Sequence, residues 1–207
     1  PETMNRSLTI DTRHGHLFGQ LELPDTPCGL VLLARAHHAP DDIAIAAQLV
    51  EQNFAVLIME LLTSQEAQFV DATQNVPRLT QRLLDMLDLI RRDGDMENLP
   101  LLILANGDTS PAAIRASAQR DTQVKALALH GGLIDRAGRE ALNLLTAPSL
   151  FVYSPEDEAG QIAYQRAETY LNCLHQQHRL APAEDPLRPI IGWFLTFFPG
   201  RPQQVNA

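Results

Sequence analysis

Five short apolar runs, separated by segments of helical period, constrain this chain more than any other feature. They are CGLVLLARA (28–36), FAVLIMEL (54–61), LPLLILAN (99–106), VKALALH (124–130) and APSLFVY (147–153). Near-continuous apolar runs of this length are the pattern of strands buried on both faces. Between the first two runs, residues 41–53 put Ile43, Ala46, Ala47 and Val50 on one helical face, with Asp41 and Asp42 suited to its positive end. Pro77 opens a long amphipathic helix in which Leu79, Leu83, Met86, Leu87 and Ile90 recur at helical spacing, and Gly94 ends it. Further helices are expected from near Ser110, from near Gly138, and over 161–178. Parallel strands need crossover connections, so the alternation predicts an α/β three-layer sandwich with a mostly parallel central sheet. Residues 7–23 add an N-terminal antiparallel hairpin around His14-Gly15-His16, residues 63–75 read as a surface loop, and the apolar tract 190–198 as a helix packed on the core. Residues 1–207 are expected to form one domain.

Charge and motif content narrow the function classes. The chain has 25 acidic and 16 basic side chains, a formal charge of −9, which disfavours nucleic acid and anionic membrane surfaces as partners. Cys28 and Cys173 are the only cysteines, and free thiols in a cytoplasmic protein are the simplest expectation. The start, PETMNRSLTID, lacks the apolar core of a signal peptide, and no apolar run is long enough to span a bilayer. No GxGxxG follows the first core run and no GxxxxGK[ST] occurs, so nucleotide binding has no support and no cofactor is expected. The adjacent His37 and His38 make a poor chelate without a third ligand, so no metal is expected either.

The order GLVLLA, FAVLIMELLT, LPLLILANG, ALHGG and TAPSLFVYSPEDE resembles the small, lidless branch of the α/β-hydrolase family and is similar to dienelactone hydrolase. The resemblance runs from about Gly29 to Asp157 and resumes at Trp193. It implies an α/β-hydrolase fold and acyl transfer to water, with a nucleophile on the turn after the central strand, an acid, a histidine and two oxyanion-binding N–H groups.

The matching positions depart from that machinery. Counting back from Gly131-Gly132 puts Gly107 at the nucleophile position, and glycine has no side chain to attack with. A slip of one residue would offer Asp108 instead; the blander expectation is that Asp108, Thr109 and Ser110 cap the following helix, with Ser110 as the N-cap. Asp157 falls at the acid position, with Glu156 beside it. No histidine follows His178, and the segment before Trp193 looks as if the last strand and histidine loop had been trimmed, leaving His175 and His178 late on the preceding helix. The oxyanion loop reads Ala34-Arg35-Ala36-His37-His38-Ala39-Pro40, which places Arg35, His37 and His38 at the carboxyl edge of the sheet, suited to an anion. His130 ends another strand on that edge. A cleft lined by Arg35, His37, His130, Asp108 and Asp157 competes with the simpler expectation of independent polar loop residues.

Two functions are therefore carried forward. The first is a catalytically degenerate hydrolase homologue that binds a small-molecule ligand or a protein partner, with the C-terminal apolar tract a candidate homo-oligomer interface. The second is a divergent hydrolase of esters, lactones or haloalkanes, using Asp108 or Ser110 as nucleophile, Asp157 to orient, and His130 or His37 as base.

Overall fold

A computed structural model of the chain describes residues 2–198. The five apolar runs form β3 (Gly29–Arg35), β4 (Phe54–Glu60), β5 (Leu101–Asn106), β6 (Val124–His130) and β7 (Ser149–Tyr153), all parallel to one another. The hairpin β1 (Met4–Thr12) and β2 (Gly15–Leu23) is antiparallel and joins the sheet through β2 against β4. The eight-stranded order is β1-β2-β4-β3-β5-β6-β7-β8. After β3 the chain steps outward to β4, then crosses back to β5 on the other side of β3. The strand order thus reverses between β3 and β5, where such sheets leave a crevice at their carboxyl ends.

Parity along each strand divides the core. Leu30, Leu32, Ile103, Leu127 and Phe151 face α2 (Val76–Arg92), α3 (Ser110–Gln119), α4 (Arg139–Leu144) and α5 (Glu158–Glu168). Val31, Leu33, Leu102, Leu104, Ala126 and Ala128 face α1 (Asp42–Glu51) and α6 (Leu187–Phe197). Both faces are covered, which is why the strands read as apolar throughout rather than alternating. The long helix α2 begins where Asn75 accepts a hydrogen bond from the Arg78 N–H at 3.1 Å, with Pro77 in its first turn.

Two sequence expectations are corrected. The helix expected over 161–178 ends at Glu168, and His175–Arg179 forms β8, parallel to β7. The last strand is thus present rather than trimmed, and His175 and His178 lie on it. It is a polar edge strand, so its backbone pairing leaves no apolar trace in HQQHR. The loop at 63–75 holds two single 3-10 turns, Glu66–Gln68 and Ala72–Gln74. Thr63 and Glu66 there cap each other's backbone N–H groups, and the buried Glu66 takes a two-pronged contact from Arg82 of α2, 2.8 Å on each side.

Candidate functional site

Three strands end side by side at the reversal of strand order: β3 on Arg35, β5 on Asn106 and β6 on His130. Each is the next same-face residue after a buried apolar side chain, Leu33, Leu104 and Ala128 respectively. Strand alternation therefore turns all three toward the face covered by α1 and α6. That face does not close over them. The first turns of α1 and α6 stand apart and leave a cavity of about 390 Å³, with Arg35, Asn106, His130 and Gln48 among its polar lining. Its apolar lining comes from Ile45, Leu104, Leu187 and Ile190, and Asp41 and Asp185 stand at the helix starts. A partly apolar cleft with a few convergent polar groups is the usual form of a small-molecule site.

Arg35 is held rigidly. It is 7% exposed, and its Nε donates at 2.8 Å to Oδ1 of Asp42, which is fully buried. The other Asp42 oxygen accepts the Ala39 N–H at 2.9 Å. The two terminal nitrogens of Arg35 have no protein partner among the described residues. His130 likewise makes no side-chain hydrogen bond among them. Burial pushes its pKa below the ordinary histidine value, the Arg35 charge lowers it further, and Asp157 opposes both. At neutral pH it is an uncharged imidazole.

The junction after β5 keeps the shape of a catalytic elbow. Gly107 follows the strand at φ +51°, and a Cβ built on it would meet nothing within 4 Å. On Gly132 a Cβ would lie 2.3 Å from the Gly107 carbonyl oxygen, so glycine there lets the β6 exit press against the elbow. The turn is sharp, and the space in front of Gly107 is open.

The remaining sequence-predicted residues sit elsewhere. Asp108 is exposed and accepts a hydrogen bond from the Thr73 hydroxyl at 2.6 Å, which ties the elbow to the 63–75 segment. Ser110 is not the N-cap. It is the first residue of α3, fully buried, and its hydroxyl donates to the Gly131 carbonyl at 2.9 Å. Thr109 precedes it without a side-chain cap on α3, because its hydroxyl turns back to the Asn106 backbone. The capping expected of Asp108, Thr109 and Ser110 thus gives way to contacts across the elbow. Asp157 caps α5 by accepting the Gly160 N–H at 3.0 Å, and a Cβ on Gly131 would lie 3.4 Å from its carboxylate. No hydrogen bond joins any two of Asp108, His130 and Asp157 among the described residues.

His37 and His38 are exposed and do not line the cavity. The His38 ring stands 3.6 Å from Asp42, and the His38 backbone N–H donates to Glu60. The segment after β8, where the resemblance calls for a histidine, holds Glu184 instead, which is bonded to His178 of β8 at 2.7 Å and accepts the Ala181 N–H. Asn106, Gln48, Asp41 and Asp185 were not anticipated as lining. For Asn106 the signal was present, since counting by two from the buried Leu104 puts it on the cleft face. Among the described residues there is no group of three or more metal-ligating side chains, and no helix is long and apolar enough to cross a membrane.

No family model matches the chain. Over 157 residues, 74% of the chain, it is 27% identical to two Mycobacterium tuberculosis sequences described as candidate phosphoribosyl transferases. That stretch is only 35% of each relative, so the chain spans about a third of their length. A dienelactone hydrolase from Anabaena variabilis superposes at a TM-score of 0.83, with 23% identity and 95% and 97% of the two chains covered. A cold-adapted esterase from an Arctic intertidal metagenomic library superposes at 0.74, with 13% identity and coverage of 95% and 94%. With an eight-stranded, mostly parallel sheet, an antiparallel N-terminal hairpin and an elbow after β5, this chain has the α/β-hydrolase fold.

Proposed function

We propose that this is a hydrolase-fold protein that binds a small molecule in the cleft between β3, β5, β6 and the starts of α1 and α6, without hydrolysing it. The observation that carries this reading is Gly107, seated at the elbow with open space in front of it and no side chain to fill it. Two further facts support it. No histidine follows His178, and His130 is hydrogen-bonded to neither Asp108 nor Asp157. Losing one member of a catalytic triad already costs orders of magnitude in rate. The cleft itself keeps the volume and the unsatisfied polar groups that a ligand needs. The transferase named for the mycobacterial relatives describes proteins of which this stretch is 35%, and phosphoribosyl chemistry is not part of this reading.

The test is turnover of short-chain esters, lactones and haloalkanes by the purified protein, with Asp108→Ala run in parallel. The expected result is no saturable turnover in either. Turnover that disappears in Asp108→Ala would make the elbow aspartate a working nucleophile and overturn the proposal.

A further inference from the structure

The cleft has two walls of opposite charge. On the inner wall, Arg35 lines the cavity; it is more than nine-tenths buried and anchored through Nε alone, and its terminal nitrogens have no protein partner among the described residues. In the first turn of α1, where Ala44 also lines the cavity, the Asp42 N–H is taken by the Ala39 carbonyl and the Ile43 and Ala44 N–H groups have no acceptor within the helix. Both features suit one anionic group. Asn106 and Gln48 add amide hydrogen-bonding groups beside it.

On the rim stand two carboxylates. Asp41 makes no capping hydrogen bond to α1, and Asp185 spends Oδ1 on the Leu187 N–H at the start of α6. Both are exposed and line the same cavity as Arg35. A phosphate dianion entering here meets one cation, already paired with Asp42, and two carboxylates. A simple carboxylic acid leaves the rim carboxylates unanswered, and a simple amine leaves Arg35 unanswered. A ligand with a carboxylate at one end and an ammonium at the other answers both, and Ile45, Leu104, Leu187 and Ile190 offer apolar surface for what it carries between or beside them.

Building on the binding function proposed above, we infer that the ligand is a free amino acid, its carboxylate on Arg35 and the first turn of α1, its ammonium between Asp41 and Asp185. The match is one of charge among groups that line one cavity, and binding entails no covalent step.

The experiment screens the standard α-amino acids, β-alanine and γ-aminobutyrate for thermal stabilisation of the whole chain. Calorimetry then compares the best binder with its analogue lacking the ammonium and its analogue lacking the carboxylate. The expected result is saturable binding of the amino acid, with each half-ligand at least tenfold weaker. In the double variant Asp41→Asn, Asp185→Asn, where Asn keeps the capping role at 185, the amino acid should fall to the level of the deaminated acid. Equal binding of either half-ligand, or no binding by any amino acid, overturns the inference. These outcomes are separate from those of the turnover test: if a neutral or singly charged compound occupies the cleft and no ester is turned over, the binding function stands and the amino acid falls.

Discussion

Two arginines in this molecule are buried against carboxylates, and they are finished differently. Arg82 uses both terminal nitrogens on Glu66 and gives one of them to the Leu61 carbonyl as well, while Glu66 also accepts the Thr63 N–H. That cluster is closed, and it fixes the 63–75 segment to α2. Arg35, which lines the cleft, gives only Nε to Asp42 and leaves its terminal nitrogens without a protein partner among the described residues. The same pair of residue types thus serves cohesion in one place and reception in the other. What separates them is whether the protein itself supplies the last acceptors.

The comparison breaks most sharply at Arg82. Burial raises the Glu66 pKa, but the hydrogen bonds from Arg82 and Thr63 and the Arg82 charge more than offset this and hold it at about 2. Arg82→Ala removes both bonds to the buried Glu66 carboxylate and leaves it only the more exposed Arg78, 3.4 Å away, and thermal or urea unfolding at neutral pH should show a loss of about 3 kcal/mol. The pH dependence follows from the sign of the shift. The folded value lies below the unfolded one near 4.5, so the contribution is complete above about pH 4.5 and is lost as pH falls toward 2. In Arg82→Ala most of that acid-range slope should vanish; an unchanged slope would show that the pair does not hold the proton off Glu66.

Arg35→Gln should cost less, about 2 kcal/mol, because Asp42 keeps the Ala39 N–H and the nearby His38 ring. Ligand binding in the cleft should nevertheless be lost, which chemical denaturation and calorimetry on the same variant can separate. A variant that is severely unfolded would place Arg35 in the closed class with Arg82. Gly107→Ser has room for its side chain but not a favourable backbone angle, so it should lower stability by about 1–2 kcal/mol. Ester turnover should stay absent, since no histidine stands ready to activate the new hydroxyl; measurable turnover would show that His130 can serve as base. The smallest effect is expected at His130. Its folded pKa lies below the unfolded value, so its contribution is present above the ordinary histidine range and is lost as pH falls through it. His130→Gln should flatten the stability profile as pH falls below the ordinary histidine range, measurable by thermal denaturation on the acid side of neutrality.

The fold was legible because burial on both faces writes itself as apolar runs. β3 to β7 all fall within the expected ranges; the hairpin is present with β1 starting earlier than expected, at Met4, and α2 opens at Val76, just before Pro77. Arg35 and His130 were legible as cleft residues because each ends such a run. Asn106 has the same parity, but a polar residue just before Gly107-Asp108 reads equally well as the first residue of the turn. Asp108, His37 and His38 lie in turns where no periodicity fixes the direction of a side chain, and these are the positions whose place in the cleft sequence alone did not settle. Asp185 lines the cavity only because α6 returns to lie near α1, a long-range fact that local pattern does not carry.

The strand hardest to see has a consequence of its own. An eight-stranded open sheet exposes two rows of backbone donors and acceptors, each a template on which another chain can add a ninth strand. One row belongs to β8, whose entire length is His175, Gln176, Gln177, His178 and Arg179. A newcomer pairing there would have to strip water from the exposed Gln176, Gln177 and Arg179 and would find no apolar side chain on the strand in return. The lack of hydrophobic pattern that hides β8 from the reader of the sequence also deters edge-to-edge aggregation in a crowded solution.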